Sequence, residues 1–266
     1  MDALDLSREL SALPLWASGL VVVVLPTLAA AGAAALVRRV LGFERLNANA
    51  PAAGAKFALV GTVFAVLLGF AVVVVWGKFD DAEDAVMQEA AAVASLYRLS
   101  GGLDPAAHDE LHARITAYAR AAIADDWPAM AVGRVGRRAS AALTDLYGAV
   151  LASDLSRPRV ALIAAQMAGE LHNVTQGRRQ RLALATGIVP GVVWLVLLAG
   201  VAVMLAFACL FGARSTRAQV LMTGMMALPV FLSLFVILSI NYPFTGPVRV
   251  VPEPLRFVLD EFGPAP

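Results

Sequence analysis

Four long runs of apolar residues interrupt an otherwise mixed sequence. Each is close to the roughly 20 residues that an α-helix needs to cross the hydrocarbon core of a bilayer. The first span is expected from Leu15 to Val37, the second from Phe57 to Trp76, the third from Leu182 to Phe211 and the fourth from Val220 to Ile240. Pro26, Gly32 and Pro229 fall inside these runs, where membrane helices tolerate them. Pro190-Gly191 predicts a kink in the third span. Arg38 and Arg39 close the first span, and Trp76 with Lys78 closes the second, side chains that suit the headgroup level. Pro51 and Gly54 read as breakers in a short connector from Leu41 to Ala55.

From Asp80 to Arg181 the pattern changes: apolar and charged residues recur at helical spacing, with no sustained strand-like alternation. Four helices are predicted. The first starts near Asp80 and ends at the stop signal Ser100-Gly101-Gly102. The second opens with Asp104 as N-cap and Pro105 at the first helical position. It is expected to end near Trp127-Pro128, because the residue before a proline disfavours helix. The third covers Gly136 to Ser153; the fourth starts near Ser156 and Pro158 and runs without a break into the third span. The tail from Asn241 is rich in proline and reads as extended chain until about Leu255. The predicted fold class is an all-α membrane protein, four transmembrane helices with a helical soluble domain between the second and third. Its parts are an N-terminal transmembrane hairpin (1–78), the helical soluble domain (79–181), a C-terminal transmembrane hairpin (182–240) and the tail (241–266).

Composition supports this reading. Hydrophobic residues make up 59% of the chain, against about 45–50% in a soluble domain, and the mean hydropathy is +0.74. With 21 basic and 20 acidic residues there is no concentrated basic footprint, so nucleic acid is not an expected partner. The single cysteine, Cys209, reads as a packing residue in a lipid-buried helix. The first ten residues carry Asp2, Asp5 and Glu9 against Arg8, unlike the basic start of a signal peptide, so the first span reads as a retained helix. Orientation stays open. Arg38, Arg39, Arg45, Lys56, Arg214 and Arg217 on one side nearly balance the basic residues flanking the spans on the other.

Candidate chemistry is sparse. The span interiors hold no ionisable residue of the kind that proton pumps and ion-coupled transporters use, which argues against those classes. It is compatible with a pore gated by apolar constrictions, and equally with an anchor. His108 and His112 share a helix face. A zinc hydrolase would place Glu directly after the first His, whereas this chain has Asp109. Without a third ligand nearby the pair reads as a solvated helix face, as does the isolated His172; neither a metal, a cofactor nor a catalytic residue is expected. In the second span, Thr62, Val66 and Phe70 recur every fourth residue and lie on one face. Gly61 and Gly69 permit close helix contact. Any apolar helix yields such patterns, so periodicity alone supports a pore only weakly. Asp80, Asp81, Glu83, Asp84 and then Glu89 form an acidic run. It reads either as helix-start chemistry at the positive end of the dipole or, in an oligomer, as a ring at a pore mouth that concentrates cations.

Leu67-Leu68-Gly69-Phe70-Ala71-Val72-Val73 resembles the neck segment of bestrophins, and Asn241-Tyr242-Pro243-Phe244-Thr245-Gly246 resembles the Asn-Pro-Phe-Gly segment after their last membrane helix. The order of two spans, a helical region and two spans is similar as well. Trp76, Glu89-Ala90, Trp127-Pro128 and the turn at Pro243, Phe244 and Gly246 look like recurring features of bacterial bestrophin-like membrane proteins, a domain of unknown function. The resemblance covers about Phe57 to Pro254. It implies a homo-oligomeric, pentameric ion channel of the bacterial inner membrane, passing small inorganic ions, with termini and helical domain in the cytoplasm. It places Phe70, Val66 and Thr62 in an apolar neck and implies no enzyme chemistry; if the second span lines such a pore, Asp80 and Asp84 of the acidic run are expected at its mouth. Thr62 and Val66 are less bulky than the family's neck. Pro247-Val248-Arg249-Val250-Val251 stands where animal bestrophins carry an acidic calcium-binding run, so no calcium clasp is implied. The alternative is a non-conducting scaffold or sensor whose helical domain binds a protein.

Overall fold

The computed structural model describes residues 3–42, 50–210 and 215–262, and side chains for 7–42, 54–210 and 215–262. Arg45, Arg214 and the expected end of the third span at Phe211 lie outside the described residues. Among these residues there is no strand. The helices in chain order are α1 (Ala3–Ala12), α2 (Leu15–Leu41), α3 (Ala50–Ser100), α4 (105–131), α5 (Arg137–Leu151), α6 (Pro158–Leu184), α7 (Gly191–Leu210), α8 (Thr216–Ile240) and α9 (Glu253–Glu261). Four contain stretches long and apolar enough to cross a membrane: α2, α3, α7 and α8. The helical region between the second and third spans is built from the rest of α3 and from α4 to α6. Two compact units result, one of Met1–Gly77 with Ile188–Asn241 and one of Lys78–Gly187 with Tyr242–Pro266.

In the first unit, α8 and α7 pack along α2. Small residues make the approach close: Ala30, Ala31 and Ala34 are buried on α2. A Cβ on Gly224 would sit 3.9 Å from the Ala31 methyl. Lipid tails are as apolar as leucine, so association of such helices rests on this kind of packing rather than on expulsion of water. The contact of α3 with α7 is tighter. Gly61 faces the Met204 methyl, and the Phe64 ring lies where a Cβ on Gly200 would stand. Gly200→Ala is therefore expected to overpack this crossing and cost about 1–3 kcal/mol. A lowered unfolding midpoint of the detergent-solubilised protein is the check.

Several expected boundaries move, each for a local reason. No break occurs at Asp80, since α3 is one helix of 51 residues. Pro51 and Gly54 do not break it either. Pro51 sits in the first turn, where the proline nitrogen has no helical bond to lose. The helix of the second unit that was expected to stop at Trp127-Pro128 continues to Ala131 through a π turn at Ala122–Asp126. That turn places Pro128 at the start of the next α-helical segment, where it again forfeits nothing. Conversely, α6 does not run into the third span. It stops at Leu184, and α7 starts at Gly191. Gly187 adopts φ +107°, a region that only glycine enters freely, and a Cβ there would meet the Tyr242 ring at 2.8 Å. The amides released by this break are taken up by Asn241. Its backbone oxygen accepts from Ile188 N–H at 3.0 Å and its Oδ1 accepts from Val189 N–H at 2.8 Å. The α1 helix has no counterpart in the sequence reading.

Candidate functional site

On α3, the uninterrupted 3.6-residue period fixes which side chains share a face. Phe64, Leu68 and Val75, and further on Ala82, Val86, Glu89 and Val93, are buried. Thr62, Val66, Phe70, Val73, Gly77, Asp80 and Asp84 follow one another at intervals of three or four residues and are all exposed. Val66 and Phe70 are 53% and 67% exposed. Nothing lies within 4 Å of a Cβ built on Gly69. Because α3 has no N-terminus near Asp80, the helix-start reading of the acidic run is overturned. The run also splits. Asp81 pairs with Lys78 at 2.9 Å, Asp80 and Asp84 stay on the exposed face, and Glu89 turns fully inward.

Glu89 belongs to a buried charge cluster in the second unit. Gly177 on α6 lets that helix touch the α3 backbone: a Cβ there would meet Ala85 O at 2.9 Å and Glu89 N at 3.0 Å. About one turn further on, the fully buried Arg181 donates from Nε to Glu89 Oε2 at 2.8 Å and from Nη2 to Glu89 Oε1 at 2.9 Å. Its Nη2 also reaches Asp126 Oδ2 at 3.1 Å, and the guanidinium lies 4.4 Å over the Trp127 ring. Arg178 completes the set, donating to both Asp126 oxygens at 2.8 and 3.1 Å and to Ser140 Oγ at 2.9 Å. The π turn of α4 brings Asp126 into this position. Two carboxylates thus face two guanidiniums, with nearly every polar atom bonded, the condition under which buried charge is tolerated. Burial is the largest single influence and opposes the charge on Arg181, but Glu89, Asp126 and Tyr118 together outweigh it and raise the Arg181 pKa.

Tyr118 donates its hydroxyl to Glu89 Oε1 at 2.7 Å. Burial, reinforced by the Glu89 charge, pushes its pKa well above the ordinary 10.0. The folded state therefore holds this proton more tightly than the unfolded one. Its contribution to stability is complete below the unfolded pKa of 10.0 and declines as pH rises beyond it. A pH series of melting temperatures is expected to fall above that value, and Tyr118→Phe to make the fall shallower.

A model of the bestrophin-like domain matches residues 24–255. The chain belongs to the bestrophin-like family. Its fold is similar to that of a membrane protein crystallised as a single-residue variant, with TM-score 0.68 at 16% identity over 90% of this chain and 97% of that one. Two single-residue variants of a bacterial bestrophin homologue from Klebsiella pneumoniae give TM-scores of 0.63 and 0.60 at 17% and 19% identity. Both alignments cover 90% of this chain and 97% of the other. No curated protein matches the sequence. With four apolar spans, this bestrophin-like chain is a multi-pass membrane protein.

Several recurring bestrophin-like features noted in the sequence meet in the second unit. Trp127 packs edge-on against Phe244, with ring centroids 6.0 Å apart, and its indole N–H donates to Val250 O at 3.3 Å. The turn holding them is closed by Val250 N–H to Pro243 O at 2.6 Å and Thr245 Oγ1 to Ala131 O at 3.0 Å, with Gly246 at φ +79°. Trp127 thus joins the tail turn to the charge cluster. Of that cluster, sequence reasoning singled out only Glu89 and Trp127. Tyr118, Asp126, Arg178 and Arg181 lie on α4 and α6 with no motif of their own, and Gly177, which the sequence reading passed over, marks the close crossing only once the structure is known.

His108 and His112 do not form a solvated face. Both are half-buried. His108 Nδ1 is 3.0 Å from Ser100 Oγ, the two rings stack at 5.9 Å, and His112 meets the Tyr97 edge at 4.8 Å. Tyr97 in turn stacks on Phe262 at 4.0 Å. Among the described residues no three metal-binding side chains cluster. His172 is exposed, 3.4 Å from Gln176 Nε2.

Proposed function

We propose that this bestrophin-like protein is a homo-oligomeric ion channel, a pentamer, in which α3 of each subunit faces a central path. Thr62, Val66 and Phe70 form the apolar neck and Asp80 and Asp84 the acidic mouth. The observation that carries the reading is the exposed stripe of α3. Neck and mouth residues fall on one helical face in a single register, opposite the residues that pack the helix into its own chain. Such a face in a multi-pass protein needs neighbours, and symmetric copies supply them. The Klebsiella pneumoniae structures are described as those of a bestrophin homologue, which agrees with this assignment. Flow is passive and set by wetting of the neck, with no covalent chemistry. The carboxylates at the mouth favour cations. The termini and the second unit lie in the cytoplasm, below the inner membrane.

The test is ion flux from liposomes that hold the purified protein. Flux above that of empty liposomes supports the channel. A folded oligomer that passes no ion supports instead the scaffold reading, in which the second unit binds a protein partner.

A further inference from the structure

The turn between α4 and α5 carries two valines and three arginines between Val132 and Arg138. Val132 and Val135 are 59% and 57% exposed. Arg134, Arg137 and Arg138 are exposed, and none makes an ion pair among the described residues. The neighbouring carboxylates are taken by backbone amides. Asp125 Oδ2 accepts from Arg138 N–H at 2.7 Å and Ala139 N–H at 3.2 Å, and Asp126 Oδ1 accepts from Gly136 N–H at 3.0 Å. Stability of the chain gives no reason for these side chains. A cation in the first turn of a helix opposes its dipole, and Arg137 and Arg138 open α5.

The position of the turn supplies a reason. Arg178 donates to Gly136 O at 3.3 Å, six residues, or about 9 Å of helix, before α6 ends at Leu184. Thr245 donates to Ala131 O at 3.0 Å, and it stands five residues after α8 ends at Ile240. The turn therefore sits at the end of the second unit where the chain passes to its spans, at Gly187 and Tyr242. The α5–α6 turn lies at the other end: Arg157 pairs at 2.6 Å with Asp104, just past the far end of α3 at Ser100.

We infer that the α4–α5 turn is a membrane-surface anchor that docks on anionic phospholipid headgroups. Arg134, Arg137 and Arg138 meet the lipid phosphates, and Val132 and Val135 enter the boundary between headgroups and acyl chains. Basic segments next to a span are drawn to an anionic leaflet, and apolar side chains among them add buried area. The anchor does not depend on ion conduction.

The full-length protein in lipid nanodiscs tests this. Val135→Cys in a Cys209→Ser background carries a fluorophore that a nitroxide quenches. The discs contain phosphatidylcholine alone or mixed equally with phosphatidylglycerol, each with a lipid spin-labelled at its headgroup. Strong quenching is expected with phosphatidylglycerol and weak quenching without it. Arg134→Ser, Arg137→Ser and Arg138→Ser together are expected to lower it at least about twofold, since each arginine near an anionic surface favours contact roughly fivefold. High salt, which leaves the sequence intact, is expected to lower it as well. A label at Leu155→Cys, exposed in the α5–α6 turn, is expected to stay unquenched in both discs. Equal quenching at Val135→Cys and Leu155→Cys, or quenching at Val135→Cys that ignores lipid charge and the arginines, overturns the inference. So does a Val135→Cys label shielded from iodide in water yet untouched by the lipid nitroxide, which would assign the turn to a protein contact.

Discussion

Arg181→Met is expected to destabilise the second unit by about 3–5 kcal/mol, because it leaves the buried Glu89 carboxylate without its cation and Asp126 with Arg178 alone. Arg181 is fully buried and bonds Glu89 twice and Asp126 once. Methionine matches much of its volume and can still rest on Trp127, so the loss reports charge rather than a cavity. Arg178 remains, but it is already committed to Asp126 and Ser140. Glu89→Leu alone is expected to cost a similar amount by orphaning the guanidinium. The double variant Arg181→Met with Glu89→Leu removes both charges and is expected to lie well above the sum of the singles. Denaturant midpoints of the four proteins measure this coupling directly. Additive losses would show that the ion pair is not the source of the stability.

The fold was largely legible in the sequence because bilayer length and helical period are strong signals. The spans at Phe57–Trp76 and Val220–Ile240 lie within α3 and α8, and the Asp104-Pro105 start and Ser100-Gly101-Gly102 stop stand where their local chemistry puts them. The misplaced boundaries depend on tertiary partners. Pro128 breaks nothing because a π turn precedes it, and Gly187 ends α6 because Asn241, some fifty residues on, collects the freed amides (sequence separations of 53 and 52). The site was legible only in part. That Thr62, Val66 and Phe70 share a face of α3 follows from spacing alone, whereas their exposure is read from the structure. The charge cluster does not follow from spacing, because Glu89, Asp126 and Arg181 come from three helices and each alone looks like an ordinary surface charge.

Phe70→Ala is expected to raise ion flux about tenfold, the factor that accompanies a barrier lower by about 1.4 kcal/mol. In the proposed pore each subunit places one Phe70 ring in the neck, and removing the rings widens and wets the constriction. The chain itself has little reason to unfold, as Phe70 is 67% exposed. Asp80→Asn acts differently. It removes a charge from each subunit at the mouth without changing its size, so cation preference is expected to fall while the neck still limits conductance. A flux unchanged by Phe70→Ala would place the constriction elsewhere.

The central claim is that the exposed face of α3 lines the ion path. Thiol modification of cysteines placed one at a time tests it most directly, in a Cys209→Ser background, with flux as the readout. A water-soluble, bulky thiol reagent is expected to block flux through Val66→Cys and Phe70→Cys and to leave it unchanged in Leu195→Cys, which is exposed on α7. Block at Leu195→Cys with none at Val66→Cys or Phe70→Cys would contradict the account and put the ion path along another helix.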